Sequence, residues 1–378
     1  MSNKALPILP EDTLGILGGG QLGRMFTLAA RTMGYKVMVL DPDAASPAGQ
    51  MADVHVQADY TDAAALKKLG EACAAVTTEF ENVPAASLIE LARHCRVAPG
   101  APAVAILQDR STEKTWLYGN GFPTAPFALV NSEADLEAAL AVTGMPALLK
   151  VSRLGYDGKG QSRVGTPDDA RAAFRAFGSQ ACVLEGFVEL EREVSVVLAR
   201  DDAGQCALFP VADNRHENGI LDVSIVPARV SDKLAQQACD TARAVADKLG
   251  YVGVMAVEFF IADGRLMINE IAPRPHNSGH YTLDACVTNQ FEQQVRALCG
   301  LPLGDTRLLS PVVMVNILGD RWHNGGPHWN TLLAQPAIKL HLYGKEAARP
   351  GRKMGHFNVL DADPATALRL AEQMRDAL

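Results

Sequence analysis

The chain has 378 residues and a net charge of −8, from 35 Lys and Arg against 43 Asp and Glu. Apolar residues make up 48% and charged residues 21%, the proportions of an ordinary globular protein, which excludes extensive disorder and collagen-like structure. At roughly 150 residues per domain the length suggests two to three domains, and an acidic chain argues against nucleic acid as the main partner, because duplex binding usually needs a basic face.

The longest apolar stretches, such as Pro311–Leu318, fall far short of the roughly 20 residues of a membrane span. The opening MSNKALPILPED has no long apolar run and no small-residue cleavage site, so it does not read as a signal peptide. The expectation is a soluble cytoplasmic protein with no membrane partner. Cys73, Cys95, Cys182, Cys206, Cys239, Cys286 and Cys299 form no CxxC pair and read as reduced thiols, not as a disulfide framework or zinc ribbon.

In chain order, Thr13–Leu17 reads as a strand ending in glycines. Gln21–Met33 reads as a helix with Leu22, Met25, Leu28 and Ala29 on one face. Lys36–Leu40 is a second strand, Ala63–Cys73 a helix, Ala75–Thr78 a strand and Ala86–His94 a helix. This βαβαβ rhythm implies a parallel sheet covered by helices. A boundary is expected near Pro99–Pro102, followed by one helix over Ala103–Asn120. Phe127–Val130 and Ala147–Val151 read as strands around the helix Ser132–Thr143. Beyond the glycine-rich Gly155–Gln161, strands are expected at Ala181–Phe187, Glu193–Ala199, Cys206–Val211, Val254–Ile261 and Arg265–Ile271, interrupted by the helix Asp232–Lys248. This middle segment reads as α+β. A last segment from about Pro311 carries strands at Val312–Ile317, Ile338–Leu342 and Met354–Val359, then the helix Pro364–Ala377.

Four signals carry chemistry. Gly18-Gly19-Gly20-Gln21-Leu22-Gly23 matches GxGxxG between a strand and a helix, with Asp41 ending the next strand, the context of a dinucleotide site. The same glycines could equally serve helix–strand packing or face another phosphate or sugar. Second, Gly155-Tyr156-Asp157-Gly158-Lys159-Gly160-Gln161 follows Lys150 between two strands. Its amides could wrap polyphosphate, yet no Ser or Thr follows Lys159, so it is not a Walker A loop. A dehydrogenase has no use for it; a solvated hairpin is the plain alternative. Third, Glu258 and Glu270 sit in apolar strands joined by a turn at Asp263-Gly264, which brings them nearly opposite. Acids so embedded are costly unless a cation lies between them, and magnesium bridging nucleotide phosphates suits the pair; two glutamates on a solvated face are the alternative. Fourth, Arg274, His276, Asn277 and Ser278 crowd one rigid Pro-containing loop and suit an anionic ligand, while Lys345, Arg349, Arg352 and Lys353 form a basic patch that reads either as a solvated turn or as a dock for a substrate phosphate.

The ordered set GGGQLGRM, TTEFENVP, LLKVSRLGYDGKGQ, LEGFVELEREVSV, NEIAPRPHNSGHYT, LYGK and GRKMGH resembles the 5-(carboxyamino)imidazole ribonucleotide synthetase family, ATP-grasp ligases of de novo purine synthesis. The resemblance covers nearly the whole chain. It implies a mixed α/β and α+β architecture: an N-terminal Rossmann-like pre-ATP-grasp domain (1–110), a two-lobed ATP-grasp domain (111–305) and a small C-terminal domain (306–378). It implies ATP and Mg2+, and joining of bicarbonate to the exocyclic amine of aminoimidazole ribonucleotide through carboxyphosphate, with release of ADP and phosphate. Arg110 and Lys150 would hold ATP phosphates under the flap of Gly155, Tyr156, Asp157, Gly158, Lys159, Gly160 and Gln161. Glu185, Gly186, Phe187 and Val188 would line the adenine, Glu193 the ribose, and His216 and Asn269 the rest of the nucleotide. Glu258 and Glu270 would ligate magnesium, with Glu258, Glu270, Arg274 and Lys150 as the catalytic set. Gln21, Leu22, Glu79, Tyr156, Asp157, Arg274, His276, Asn277, Ser278, Lys345 and Arg352 would hold the ribonucleotide, which reassigns the first glycine loop. A homodimer is also implied. A sister ligase such as a formate-dependent glycinamide ribonucleotide transformylase shares the magnesium pair, but the flap and the Glu-Phe-Glu-Asn-Val-Pro segment favour the carboxylating family. A biotin carboxylase would be longer and carry a Met-Lys-Met segment. A dehydrogenase leaves flap and glutamate pair unexplained.

Overall fold

The computed structural model describes residues 6–155 and 158–378, apart from the side chains at 324 and 325. Strands β1 (Thr13–Leu17), β2 (Lys36–Leu40), β3 (Val54–Val56), β4 (Ala75–Thr78) and β5 (Arg96–Val97) form a parallel sheet in the order β3-β2-β1-β4-β5, connected through helices α1 (Gln21–Thr32), α2 (Ala63–Ala72) and α3 (Ala85–Leu91). Leu22, Met25 and Phe26 form the inner face of α1 and pack on Phe291, Val295 and Leu298 of a much later helix. Each such buried side chain contributes about 1.5–3 kcal/mol, so the first core depends on residues nearly 270 positions away. Leu28, expected on that face, is 43% exposed; Thr27 is buried instead, its hydroxyl bonded to Gly23 O at 2.8 Å.

The single helix expected over Ala103–Asn120 is two, α4 (Ala101–Leu107) and α5 (Arg110–Gly119). Asp109 stands between them in an extended conformation and accepts hydrogen bonds from the Ser111 and Thr112 N–H groups, an N-cap that restarts the helix. Next come β6 (Phe127–Val130), α6 (Leu136–Thr143), β7 (Ala147–Val151), β8 (Gln161–Val164), α7 (Pro167–Ala176) and β9 (Cys182–Gly186). The four strands form an antiparallel sheet in the order β6-β9-β7-β8, with Leu136 and Leu140 of α6 and Phe174 of α7 in its core.

The remaining strands are β10 (Arg192–Arg200), β11 (Cys206–Leu208), β12 (Ala212–Glu217), β13 (Ile220–Val226), β14 (Gly253–Ala262), β15 (Arg265–Ala272), β16 (Val312–Leu318), β17 (Ile338–Leu342) and β18 (Lys353–Leu360). They build one sheet in the order β15-β14-β10-β12-β13-β16-β18-β17, with β11 beside β10. The last segment therefore adds its strands to the middle segment's sheet through β13 and β16. The helices here are α8 (Asp232–Leu249), α9 (Thr282–Ala285), α10 (Gln290–Leu298), α11 (Trp329–Leu333) and α12 (Pro364–Ala377). Among the described residues, no helix is long and apolar enough to cross a membrane.

Candidate functional site

Two groups of candidate residues are linked through the loop after β15, whose Arg274 pairs with Glu81 and whose His276 lies 3.0 Å from Glu258. The first lies where the β6-β9-β7-β8 sheet faces β15. Lys150, on β7, reaches Glu185, on the neighbouring β9, at 3.0 Å. The wholly buried Lys114 of α5 reaches the same Glu185 oxygen at 3.4 Å and donates to Asn269 O at 2.8 Å. Burial alone would raise the Glu185 carboxyl, but Lys114, Lys150 and Arg110 draw it down to about 2. Burial lowers the Lys150 ammonium, and the like charges of Arg110 and Lys114 add to that, more than Glu185 offsets.

Helix α5 grips three successive residues of β15 from one face. Arg110 pairs with Glu270 at 3.2 Å, Lys114 holds Asn269 O, and Glu113 accepts the Ile271 N–H at 2.7 Å. Burial lifts the Glu113 carboxyl to about 7 against the pull of Arg110 and Lys114.

Glu258 and Glu270 stand opposite each other in the β14–β15 register, and a bulge follows Glu258. Glu258 Oε1 lies 3.0 Å from His276 Nε2. Burial opposes its ionisation, but His276, His216 and Lys353 pull its carboxyl down to about 2. Ligand atoms of Glu193 on β10, His216 on β12 and Glu258 lie within 4.8 Å of one another. His216 Nδ1 is 2.9 Å from Glu193 Oε2, without the alignment of a hydrogen bond.

Among the described residues, Arg110 Nη1, Glu185 Oε1 and Asn269 Oδ1 are also buried without a partner. Buried polar atoms are ordinarily satisfied, so orphans gathered at one cleft mark a place that a polar ligand completes. A charged guanidinium, a carboxylate pair and polar orphans suit Mg2+ with a polyphosphate nucleotide.

The flap crosses from β7 to β8, and Tyr156 and Asp157 lie outside the described residues. Val151 N–H donates to Gly160 O at 2.8 Å, and Gln161 pairs with Lys150 at the start of β8. Gly158 rests on the Asn218-Gly219 turn of the β12–β13 hairpin: a Cβ on Gly219 would fall 2.8 Å from Gly158 Cα. Gly186 ends β9, while Phe187 carries Arg163 over its ring at 4.5 Å. Val188 follows and is half-buried.

The second cleft opens at the C-terminal ends of β1, β2 and β4 and is lined by Gly19, Gly20, Asp41, Tyr60, Glu79, Lys345 and Arg352, among others. Glu79 accepts the Gly20 N–H at 2.5 Å and the Gly23 N–H at 2.6 Å. A protein carboxylate therefore occupies the helix terminus that a dinucleotide pyrophosphate would use. Asp41 is similarly spent, accepting from Gly19 N–H at 2.6 Å and Tyr60 O–H at 2.7 Å. Gln21 opens α1 beside these glycines. Leu22 is in the core, so only its backbone faces the loop. Lys345 and Arg352 come from the far end of the chain; Lys345 Nζ donates to Lys353 O at 2.7 Å, and Arg352 Nη1 to Ala347 O at 2.8 Å.

The loop after β15 joins the clefts. Arg274 forms a two-pronged pair with Glu81, at 2.6 and 3.5 Å. The Asn277 and Ser278 side chains are buried and engaged within the protein. Asn277 exchanges hydrogen bonds with Asn316 of β16, and Ser278 Oγ bonds His276 Nδ1 at 2.8 Å. Sequence reasoning missed Glu81, Glu113, Lys114 and Gly219. For Gly219 a signal existed, since Asn-Gly is a strong hairpin turn.

Comparison with known proteins finds relatives along nearly the whole chain. Family models match over 12–108 (ribonucleotide synthetase preATP-grasp domain), 115–291 (ATP-grasp domain) and 312–370 (phosphoribosylaminoimidazole carboxylase C-terminal domain). The chain is 48% identical over 350 residues to the N5-carboxyaminoimidazole ribonucleotide synthase of Brucella melitensis, covering 92% of this chain and 96% of that one. The Bacillus subtilis protein of the same name is 45% identical over 356 residues, covering 93% and 92%. The N5-carboxyaminoimidazole synthetase from Staphylococcus aureus complexed with ADP superposes with a TM-score of 0.93 at 38% identity, covering 98% of each chain. The Aspergillus clavatus synthase in complex with ADP and 5-aminoimidazole ribonucleotide gives 0.90 at 31% identity, covering 98% and 99%. With matches of this identity and span across all three segments, the chain belongs to the N5-carboxyaminoimidazole ribonucleotide synthase family of ATP-grasp ligases.

Proposed function

We infer that the protein uses ATP to join bicarbonate to the exocyclic amine of 5-aminoimidazole ribonucleotide, giving N5-carboxyaminoimidazole ribonucleotide, ADP and phosphate. The observation that carries this reading is the set of unpartnered buried atoms, Arg110 Nη1, Glu185 Oε1 and Asn269 Oδ1, beside the opposed Glu258 and Glu270. Magnesium supplies charge neutralisation on the transferred phosphoryl group. Glu258 and Glu270 would hold it, and Arg110, Lys150 and the flap Gly155–Gln161 would hold the phosphates. Glu185, Gly186, Phe187 and Val188 would line the base, with Glu193, His216 and Asn269 around the ribose and phosphates. Bicarbonate is a poor electrophile until phosphorylation gives it a leaving group. Arg274, fixed by Glu81, and His276 lie between the two clefts, where the activated carbon must meet the amine before water does.

The ribonucleotide would occupy the second cleft, its phosphate on Lys345 and Arg352 and its base near Glu79 and Gln21. Tyr156 and Asp157 would reach it from the flap, and Asn277 and Ser278 would frame it. Domain limits at about 110 and 305, a cytoplasmic location and a homodimer belong to the same reading. The Glu79 and Asp41 contacts speak against the dinucleotide reading of the glycine loop. Thermal shift tests this, because a ligand that binds the native state raises the melting temperature. Mg-ATP and aminoimidazole ribonucleotide should each raise it, and millimolar NAD or NADP should not. A shift with NAD that Gly20→Val abolishes would return the loop to a dehydrogenase.

A further inference from the structure

Strand β15 lies at the edge of the large sheet, so one side of its backbone has no strand to pair with. Its register is also interrupted. Glu258 stands opposite Glu270 and Phe259 opposite Ile268, which leaves Asn269 as an extra residue with no partner on β14. An extra residue of this kind leaves the ladder locally unpaired and re-aims the side chains beside it. Groups from outside the sheet close this edge. Ile268 N–H donates to Pro123 O at 2.8 Å, Lys114 Nζ donates to Asn269 O at 2.8 Å, and Glu113 accepts the Ile271 N–H at 2.7 Å.

Lys114 also reaches the other sheet, its Nζ lying 3.4 Å from Glu185 Oε2 on β9. One ammonium thus ties the β6-β9-β7-β8 sheet to the bulge of β15. The helix that carries it is fixed to the smaller sheet as well: Arg110 N–H donates to Ser152 O at 2.8 Å, just past β7, and the Ser111 and Ser152 hydroxyls lie 2.6 Å apart. Lys114 is wholly buried. Taking an ammonium out of water is costly, and a methionine would fill the same space without that cost, so the lysine is explained by what its charge and its hydrogens hold. Lys150 differs. Among the described residues its ammonium bonds Glu185 alone, which leaves it donors for a ligand. Glu185 Oε2 faces both ammonium groups, and Glu185 Oε1 stays unengaged.

We propose that Lys114 is a positioning residue for the nucleotide: paired with Glu185 and bonded to the Asn269 carbonyl, it sets the spacing of the two sheets and holds the bulge of β15 in place. The proposal rests on the reading that this cleft takes Mg-ATP. Lys114 itself touches no ligand. It acts through Glu185, engaging one carboxylate oxygen and leaving the other free, and through Asn269, whose side-chain oxygen is also unpartnered. Groups that hold a ligand-binding side chain in this way are commonly as necessary as the side chain itself. The second cleft is built from the ends of β1, β2 and β4 with Lys345 and Arg352, and neither Lys114 contact reaches it, so the effect of Lys114 is confined to the nucleotide.

Calorimetric titration with each ligand tests this. Wild type, Lys114→Met and Lys114→Arg are titrated separately with Mg-ATP and with aminoimidazole ribonucleotide, and each protein is also melted. Lys114→Met should bind Mg-ATP about tenfold or more weaker, with ribonucleotide affinity within about twofold of wild type. Lys114→Arg, which keeps the charge and the donors, should recover part of the loss. A lower melting temperature with Mg-ATP affinity unchanged would show that the lysine serves stability alone, and overturns the proposal. An equal loss for both ligands, or an arginine variant no better than methionine, overturns it too. If Lys114→Met does not fold, Lys114→Gln, which keeps a donor and drops the charge, is judged by the same outcomes. Wild type that binds no Mg-ATP removes the nucleotide reading and the proposal with it; wild type and Lys114→Met that bind it equally remove only the role of Lys114.

Discussion

Glu185→Gln removes the carboxylate on which two buried ammonium groups converge. Lys114 is wholly buried and lies 3.4 Å away, and Lys150 is 3.0 Å away. The Glu185 carboxyl is held at about 2 against an ordinary 4.5; at about 1.4 kcal/mol per pKa unit the ionised form contributes about 3 kcal/mol. The cost of leaving a buried charge unpaired, about 3–5 kcal/mol, is of the same size. The sign follows from proton counting. Between pH 4.5 and 2 the unfolded chain binds the proton that the folded chain refuses, so this stabilisation is complete above the unfolded value and is lost as pH falls. Urea unfolding of both proteins at pH 7, 5, 4 and 3.5 is the assay. The variant should be about 3 kcal/mol less stable at pH 7, and below pH 4.5 the gap should close at up to about 1.4 kcal/mol per pH unit. A gap under about 1 kcal/mol at pH 7, or one that does not move with pH, refutes the reasoning.

Glu113→Gln should show the opposite trend. Its carboxyl is raised to about 7, so wild type should lose up to about 3 kcal/mol relative to the variant as pH rises from 4.5 past 7; parallel pH–stability curves would contradict this. Glu270→Gln should remain folded and lose about a hundredfold or more in turnover at saturating magnesium, which steady-state rates and a melting curve check together. Lys345→Ala should weaken aminoimidazole ribonucleotide binding by about 10- to 150-fold, from about 1.5–3 kcal/mol per charged contact, and leave ATP affinity intact in calorimetric titrations. Gly219→Ala places a Cβ 2.8 Å from Gly158 Cα at a φ of +79°; KM for ATP should rise with ribonucleotide affinity unchanged, and equal shifts in both would show that the flap does not rest on this turn.

Three strands of the first sheet were legible: β1 and β2 are short apolar runs closed by glycine or Asp-Pro, and β1, β2 and β4 begin and end where they were read; β3 and β5, of three and two residues, are too short to carry a period. The opposition of Glu258 and Glu270 was legible because a two-residue turn fixes hairpin register. Other features were hidden for identifiable reasons. The break at Asp109 lies inside a run with helical spacing, and only its capping geometry reveals it. Helix α7 was signalled by Thr166 and Asp169, which form a capping box, a cue that the eye passes over in a polar stretch. Helix α10 buries Gln290, Gln293 and Gln294, so its inner face does not look apolar. Glu113 and Lys114 carry no local signal, because nothing near them in sequence shows that β15 will cover them. Arg274 was recognisable as an anion binder, but its partner Glu81 lies 193 positions away, and the sheet topology alone brings them together.

The central claim is carboxylation driven by ATP, and the most direct measurement is incorporation of [13C]bicarbonate. Enzyme, magnesium, ATP, aminoimidazole ribonucleotide and labelled bicarbonate are mixed, and ADP and labelled carbamate carbon are quantified by phosphorus and carbon NMR. The account predicts one ADP formed for each labelled carbon joined to the ribonucleotide amine, with ADP formation falling sharply when bicarbonate or ribonucleotide is withheld. Equal ADP formation without bicarbonate, or turnover with formate and glycinamide ribonucleotide in place of this pair, would contradict it.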